Sequence, residues 1–191
     1  MSRSSTKTSA TSFELREAGG GEDVAACREL FVEYQRALGV SLCFQGFEAE
    51  LAGLPGDYAP PRGRLILAFA GGKPAGCVAL RPLFHRDAEM KRLYVRPVHR
   101  GSGLGRLLAE RVIDEARRLG YETLKLDTLP QMKAAQRMYE ILGFRDTAPY
   151  NDNPVDGVRF MALDLARRTA PQVPQEVADK QLAKVAQVLA G

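Results

Sequence analysis

The 191-residue chain has no tryptophan, two histidines and three cysteines. His85 and His99 stand alone, with no second ligand at helical or hairpin spacing, so no metal site is expected. Cys27, Cys43 and Cys77 also lack metal-ligand spacing. An odd thiol count without a secretory leader argues against a disulfide scaffold and for a reducing, cytoplasmic setting. Long apolar runs are missing. The longest central one, residues 65–70, falls far short of the roughly 20 residues that span a bilayer, so no membrane role is expected. Charge of one sign is scarce as well. The 27 Lys and Arg against 23 Asp and Glu leave a net +4. That mild excess suits attraction of a small polyanion. It does not make the basic, aromatic-interleaved stripe of a nucleic-acid binder, so no nucleic-acid partner is expected.

What is present reads as one globular domain, with 45% hydrophobic and 26% charged residues. Residues 1–12 form a Ser/Thr-rich leader expected to be disordered. Residues 13–165 alternate strand-like and helix-like segments. Strands are expected at 13–18, 64–70, 75–81, 88–95, 123–129, 144–148 and 158–165. Helices are expected from residue 22 and over 47–54, 104–119 and 133–142. Cys27, Leu30, Phe31, Tyr34 and Leu38 recur at helical spacing and form one apolar face. Residues 166–191 hold a Pro-containing linker and then Ala178, Leu182, Val185 and Leu189 on one face of an amphipathic helix. That helix either packs back on its own domain or frays, or it joins a partner, and a homodimer stays open.

The most informative stretch is Arg100-Gly101-Ser102-Gly103-Leu104-Gly105-Arg106, between an apolar strand and an amphipathic helix. The first peptide N–H groups of a helix lack intrahelical partners, and the helix dipole adds positive potential there. Together they cradle a phosphate, and glycines let the backbone come close. A dinucleotide fingerprint fails because its third glycine would fall on Arg106 or Leu108, and no Gly-Lys-Ser/Thr ends a Walker loop. What remains is R-x-x-G-x-G, which by itself is either a turn into a helix or a binding loop.

Its neighbours add to it. Leu93-Tyr94-Val95-Arg96-Pro97 leads in, and Met138-Tyr139-Glu140-Ile141-Leu142-Gly143-Phe144 follows one strand and helix later. Over residues 13–165 the chain resembles the GNAT superfamily of acetyl-CoA-dependent N-acetyltransferases. It is most similar to a bacterial group sharing "LPGDYAPPRG" (54–63), "EMKRLYVRP" (89–97) and a strand like "VRFMALDL" (158–165). The resemblance implies a mixed α/β fold: a central, mostly antiparallel sheet, flanking helices and a strand–glycine loop–helix cofactor site. It implies an acyltransferase that moves acetyl from acetyl-CoA to a primary amine of a small molecule or peptide. The alternative is a module that binds acyl-CoA and senses it without turnover.

Acetyl transfer requires an ammonium with a pKa near about 10 to lose a proton, and the departing thiolate gains from a proton donor. Glu89 is the candidate base, since several relatives carry a glutamate there, often acting through water. On a regular strand it would share one face with Lys91, Leu93 and Val95, and an apolar wall would raise its proton affinity. The other reading is an exposed glutamate paired with Lys91 or Arg92. Tyr139 is the candidate acid, close to the coenzyme sulfur in many relatives. The other reading is a tyrosine packing its helix. The resemblance assigns the pantetheine arm to backbone groups of Leu93, Tyr94 and Val95, with Ala135 nearby. It assigns the pyrophosphate to Arg100, Gly101, Ser102, Gly103, Leu104, Gly105 and Arg106. The two arginines could equally be surface charges. Many relatives carry Asn where this chain has Met132. The acceptor pocket, built in relatives from the first two helices, the loop after them and the last hairpin, points to Phe31, Tyr34, Phe47, Glu48, Tyr58, Arg81 and Tyr150. Phe31 and Tyr34 also fit a helix core.

Overall fold

A computed structural model describes residues 12–39 and 46–166. The expected leader up to residue 11 and the expected C-terminal helix lie outside the described residues. Seven strands form one sheet: β1 (Phe13–Glu17), β2 (Arg64–Ala70), β3 (Lys73–Pro82), β4 (Asp87–Val95), β5 (Thr123–Thr128), β6 (Arg145–Asp146) and β7 (Arg159–Asp164). Their spatial order is β1-β2-β3-β4-β5-β7-β6. Every pairing is antiparallel except β4 with β5. That parallel pair is joined by α3 (Leu104–Arg118), the expected crossover. The other helices are α1 (Gly21–Leu38), α2 (Phe47–Gly53) and α4 (Lys133–Ile141).

Strand alternation sorts the core into two layers. Ile66, Ala68, Val78, Leu80, Leu124 and Leu126 pack against Leu104, Leu108, Val112 and Ala116 of α3. Leu65, Leu67, Cys77 and Ala79 point the other way, onto Cys27, Leu30 and Phe31 of α1 and Phe47 of α2. A leucine or phenylalanine fully removed from water contributes roughly 1.5–3 kcal/mol, so these two faces fix where the helices sit.

β4 departs from the expected alternation. Ala79 pairs with Lys91 but Cys77 pairs with Tyr94, so two steps on β3 meet three on β4. The extra residue is taken up at Arg92, whose φ is +57°. The result is a bulge, and it switches the strand's faces. Glu89 and Lys91 face the α1/α2 side, whereas Leu93 and Val95 pack with the α3 layer. The four residues therefore do not share one face, as a regular strand would require.

β5 accompanies β4 for only three rungs, Asp87–Thr123, Ala88–Leu124 and Glu89–Lys125. Beyond that last rung the two parallel strands part, and the gap between them is the structural centre of the site. The expected strand at 144–148 contracts to two residues. Pro149 just beyond has no N–H to offer a ladder. Among the described residues, no helix is long and apolar enough to cross a membrane.

Candidate active site

The glycine loop builds the first part of the site. Gly101 and Gly103 have φ of +77° and +88°, a backbone region where L side chains are strained. A Cβ on either would meet nothing within 4 Å. Gly105 lies inside α3, and a Cβ there would make only ordinary contacts, 3.8 Å to Val95 and 3.9 Å to Met138. A glycine in a helix costs about 1 kcal/mol relative to alanine, and packing within the protein does not require this one. Open space on the outer side suits a ligand that approaches the backbone. Charge agrees. The first turn of α1 carries Glu22 and Asp23 against its dipole, whereas the first turn of α3 has no acid. The positive end of α3 is thus left for an anion from outside.

Arg100, at the entry to this loop, lines the first of two cavities that share wall residues and reach the fork between β4 and β5. One, of 310 Å³, is lined by Leu93, Tyr94, Val95, Arg100, Met132 and Ala135, with Tyr34 and Leu38 of α1. The other, of 40 Å³, shares Tyr34, Leu38, Leu93 and Met132 and continues to Lys91, Arg92, Asp127, Thr128, Tyr139 and Asn153. Leu93, Tyr94, Val95, Arg100, Ala135, Tyr34 and Tyr139 are thereby brought together. Arg100 is held in place, its Nε donating to the Val95 carbonyl at 3.1 Å. Ser102 braces the loop by donating to the His99 carbonyl at 2.6 Å. Arg106 lies outside both cavities, exposed and paired with Glu110 along α3 at 2.7 Å.

Glu89 sits at the foot of the fork with no solvent exposure. Oε2 accepts from Arg81 Nε at 2.7 Å and lies 2.6 Å from Arg81 Nη2. Oε1 accepts from the Tyr150 hydroxyl at 3.0 Å and lies 3.5 Å from Lys91 Nζ. Its surroundings are two cations and a phenol, not the apolar wall expected. Burial and the Glu89 charge push the Tyr150 phenol far up. Burial does the same to Tyr139, so both stay protonated across the physiological range. Burial pushes the Lys91 ammonium down, against the pull of Glu89.

A second buried ion pair locks the bulge. Glu50 takes Nε and Nη2 of Arg92 at 2.8 and 2.5 Å and the Tyr58 hydroxyl at 2.7 Å. Burial alone would raise the Glu50 carboxyl; the Arg92 hydrogen bonds and charge more than offset this and hold it below its usual value. The expected acceptor residues divide accordingly. Phe31 and Phe47 are fully buried in the core beneath α1 and α2. Glu48 is exposed on the outer side of α2, and Glu50 takes the inward place. Tyr58 and Arg81 line a separate cavity of 310 Å³ with Glu50, while Tyr150 closes over Glu89.

Residues that escaped the sequence reading include Glu50, Asp127 and Asn153. Glu50 had a signal, since it follows the inward Phe47 by three residues and so shares its face. Asp127 alternates with Leu124, Leu126 and Thr128 and so faces away from the α3 core. Asn153 donates to its Oδ2 at 2.9 Å. That pair could not be foreseen without knowing where β5 leaves β4.

An anion-ready helix start beside a cleft between two diverging parallel strands suits a ligand that carries phosphate. The acetyltransferase (GNAT) family model matches residues 25–144, and the chain belongs to that family. It is similar to an uncharacterized N-acetyltransferase of Schizosaccharomyces pombe, 39% identical over 148 residues, covering 76% of this chain and 91% of that one. A Salmonella typhimurium acetyltransferase solved with acetyl-CoA matches at TM-score 0.58 and 26% identity, covering 84% and 98% of the two chains. A Staphylococcus aureus GNAT-family acetyltransferase shares the fold at TM-score 0.68 and 20% identity, over 81% and 99%. The protein is thus an acyltransferase of a family whose donor is acetyl-CoA.

Proposed function

We propose that the protein acetylates a primary amine by direct attack of the amine on acetyl-CoA held in the two joined cavities. The observation that carries this reading is the pair of adjoining cavities that runs from Arg100, just before the acid-free start of α3, to the polar walls of the β4–β5 fork. The residues present suit the coenzyme. Peptide N–H groups of residues 101–106, with Arg100, would hold the diphosphate, and the β4 edge from Leu93 to Val95 would pair with the pantetheine amides. Bound there, acetyl-CoA supplies an activated acyl thioester.

The remaining chemistry belongs to the chain. A carboxylate at the fork takes one proton from the acceptor's ammonium, and the neutral amine forms the C–N bond as the C–S bond breaks. Tyr139 gives its phenolic proton to the leaving sulfur and regains one from the acetylated nitrogen, so both protons lost by nitrogen are accounted for. Holding both reactants side by side replaces covalent catalysis. An acyl-enzyme on a cysteine has no support among the described residues. Cys27 and Cys77 line neither cavity, and burial raises the Cys27 thiol to about 12 and Cys77 well above its usual value.

The test is thiol release from acetyl-CoA against a panel of amino acids, polyamines, aminoglycosides and short peptides, with calorimetry of coenzyme A binding alongside. Binding together with release on one class supports the reading. Binding heat without release on any amine identifies a non-catalytic acyl-CoA sensor instead.

A further inference from the structure

The acetyltransferase reading, on which this inference rests, leaves two carboxylates at the fork as partners for the amine. Glu89 has no exposed surface, both its oxygens are engaged, and it lines none of the described cavities. A proton acceptor must come within hydrogen-bond reach of the amine or be joined to it by one water. Asp127 meets that requirement. It stands two residues past Lys125, the last rung shared with β4. It lines the 40 Å³ cavity together with Tyr139, and Asn153 fixes the plane of its carboxylate.

Thr128 supplies an independent observation. Its residue is 3% exposed, it lines the same cavity, and its Oγ1 has no hydrogen-bond partner among the described residues. A buried hydroxyl left so is destabilising, and a polar ligand atom in the cavity would relieve it. We infer that Asp127 is the catalytic carboxylate, binding the acceptor's ammonium and taking its first proton, while Thr128 Oγ1, directed to the other side of β5, meets a different polar atom of the acceptor in the same cavity. Glu89 is then a positioning residue that holds Arg81, Lys91 and Tyr150. The titratable groups facing Asp127 are Lys91 from β4, Tyr34 from α1, Tyr139 from α4 and Tyr150 from the 147–158 segment.

The experiment uses the full chain and the panel amine that the unmodified enzyme turns over fastest. Asp127→Asn keeps the shape and the Asn153 partner. It is expected to lower kcat/KM for the amine by about 10²–10⁴-fold, with coenzyme A affinity within about twofold by calorimetry. Its residual rate should climb about tenfold per pH unit below the amine's own pKa, because only amine already neutral in solution reacts. Thr128→Val should raise the amine KM several-fold at unchanged kcat. Circular dichroism confirms the fold of each variant. Asp127→Asn activity within about threefold of the unmodified enzyme, with an unchanged pH profile, overturns the inference. If Asp127→Asn does not fold, unchanged amine KM in both Thr128→Val and Asn153→Ala overturns it. An unmodified enzyme that binds coenzyme A yet acetylates nothing overturns the acetyltransferase reading itself. That result is distinct from an active enzyme indifferent to Asp127.

Discussion

Glu89→Gln probes how the floor of the site is held. The carboxylate is wholly buried and takes two Arg81 nitrogens on one oxygen, at 2.7 and 2.6 Å. The amide keeps an acceptor oxygen but loses the charge. Near a protein surface, unit charges 4 Å apart attract by about 4 kcal/mol. The Arg81 side chain is 31% exposed, so water recovers part of that for the orphaned guanidinium. A charged hydrogen bond contributes about 1.5–3 kcal/mol net. The expected loss is about 2–4 kcal/mol, toward the low end for breaking a buried pair because one partner is partly wet. For a domain of this size that lowers the unfolding midpoint by roughly 10 °C. Equilibrium urea unfolding of the parent, Glu89→Gln, Arg81→Met and the double variant should give a coupling of about 2 kcal/mol. A Glu89→Gln loss below about 0.5 kcal/mol, or single losses that simply add, would refute the reasoning.

Two further outcomes follow from the same geometry. Gly103→Ala places a Cβ at φ +88°, which costs about 1–2 kcal/mol; it should weaken coenzyme A binding by about tenfold in calorimetry while the amine KM hardly moves. Glu50 has a depressed carboxyl in the fold, so its contribution is present above the unfolded pKa of about 4.3 and is lost as pH falls through the folded value. Glu50→Gln should therefore flatten the acid limb of a stability–pH curve below the unfolded pKa of about 4.3, and an unchanged limb would show that Arg92 does not set this carboxyl.

Most of the scaffold was legible because its periodicities are strong. Leu104, Leu108, Val112 and Ala116 mark α3, and the runs at 64–70 and 123–128 alternate cleanly between layers. The glycine loop was legible because a positive φ and a close backbone approach demand particular residues. The face of β4 was not, because the bulge at Arg92 comes from a count against β3, and an arginine in the left-handed region leaves no local sign. The acceptor side was the least legible. Glu50, Arg81, Glu89, Tyr150, Asp127 and Asn153 come from five segments, and only the tertiary fold decides which carboxylate faces which cation.

The last hairpin is lightly stitched. β6 pairs with β7 over two residues, and the segment beyond it reaches the fork through two side-chain hydrogen bonds, Tyr150 to Glu89 and Asn153 to Asp127. Neither hydrophobic layer depends on those bonds. On the proposed reading, the donor grip is written in backbone and stays constant, whereas this wall is an exchangeable panel. Swapping that panel would let descendants of one ancestor turn to new amines while keeping the same thioester.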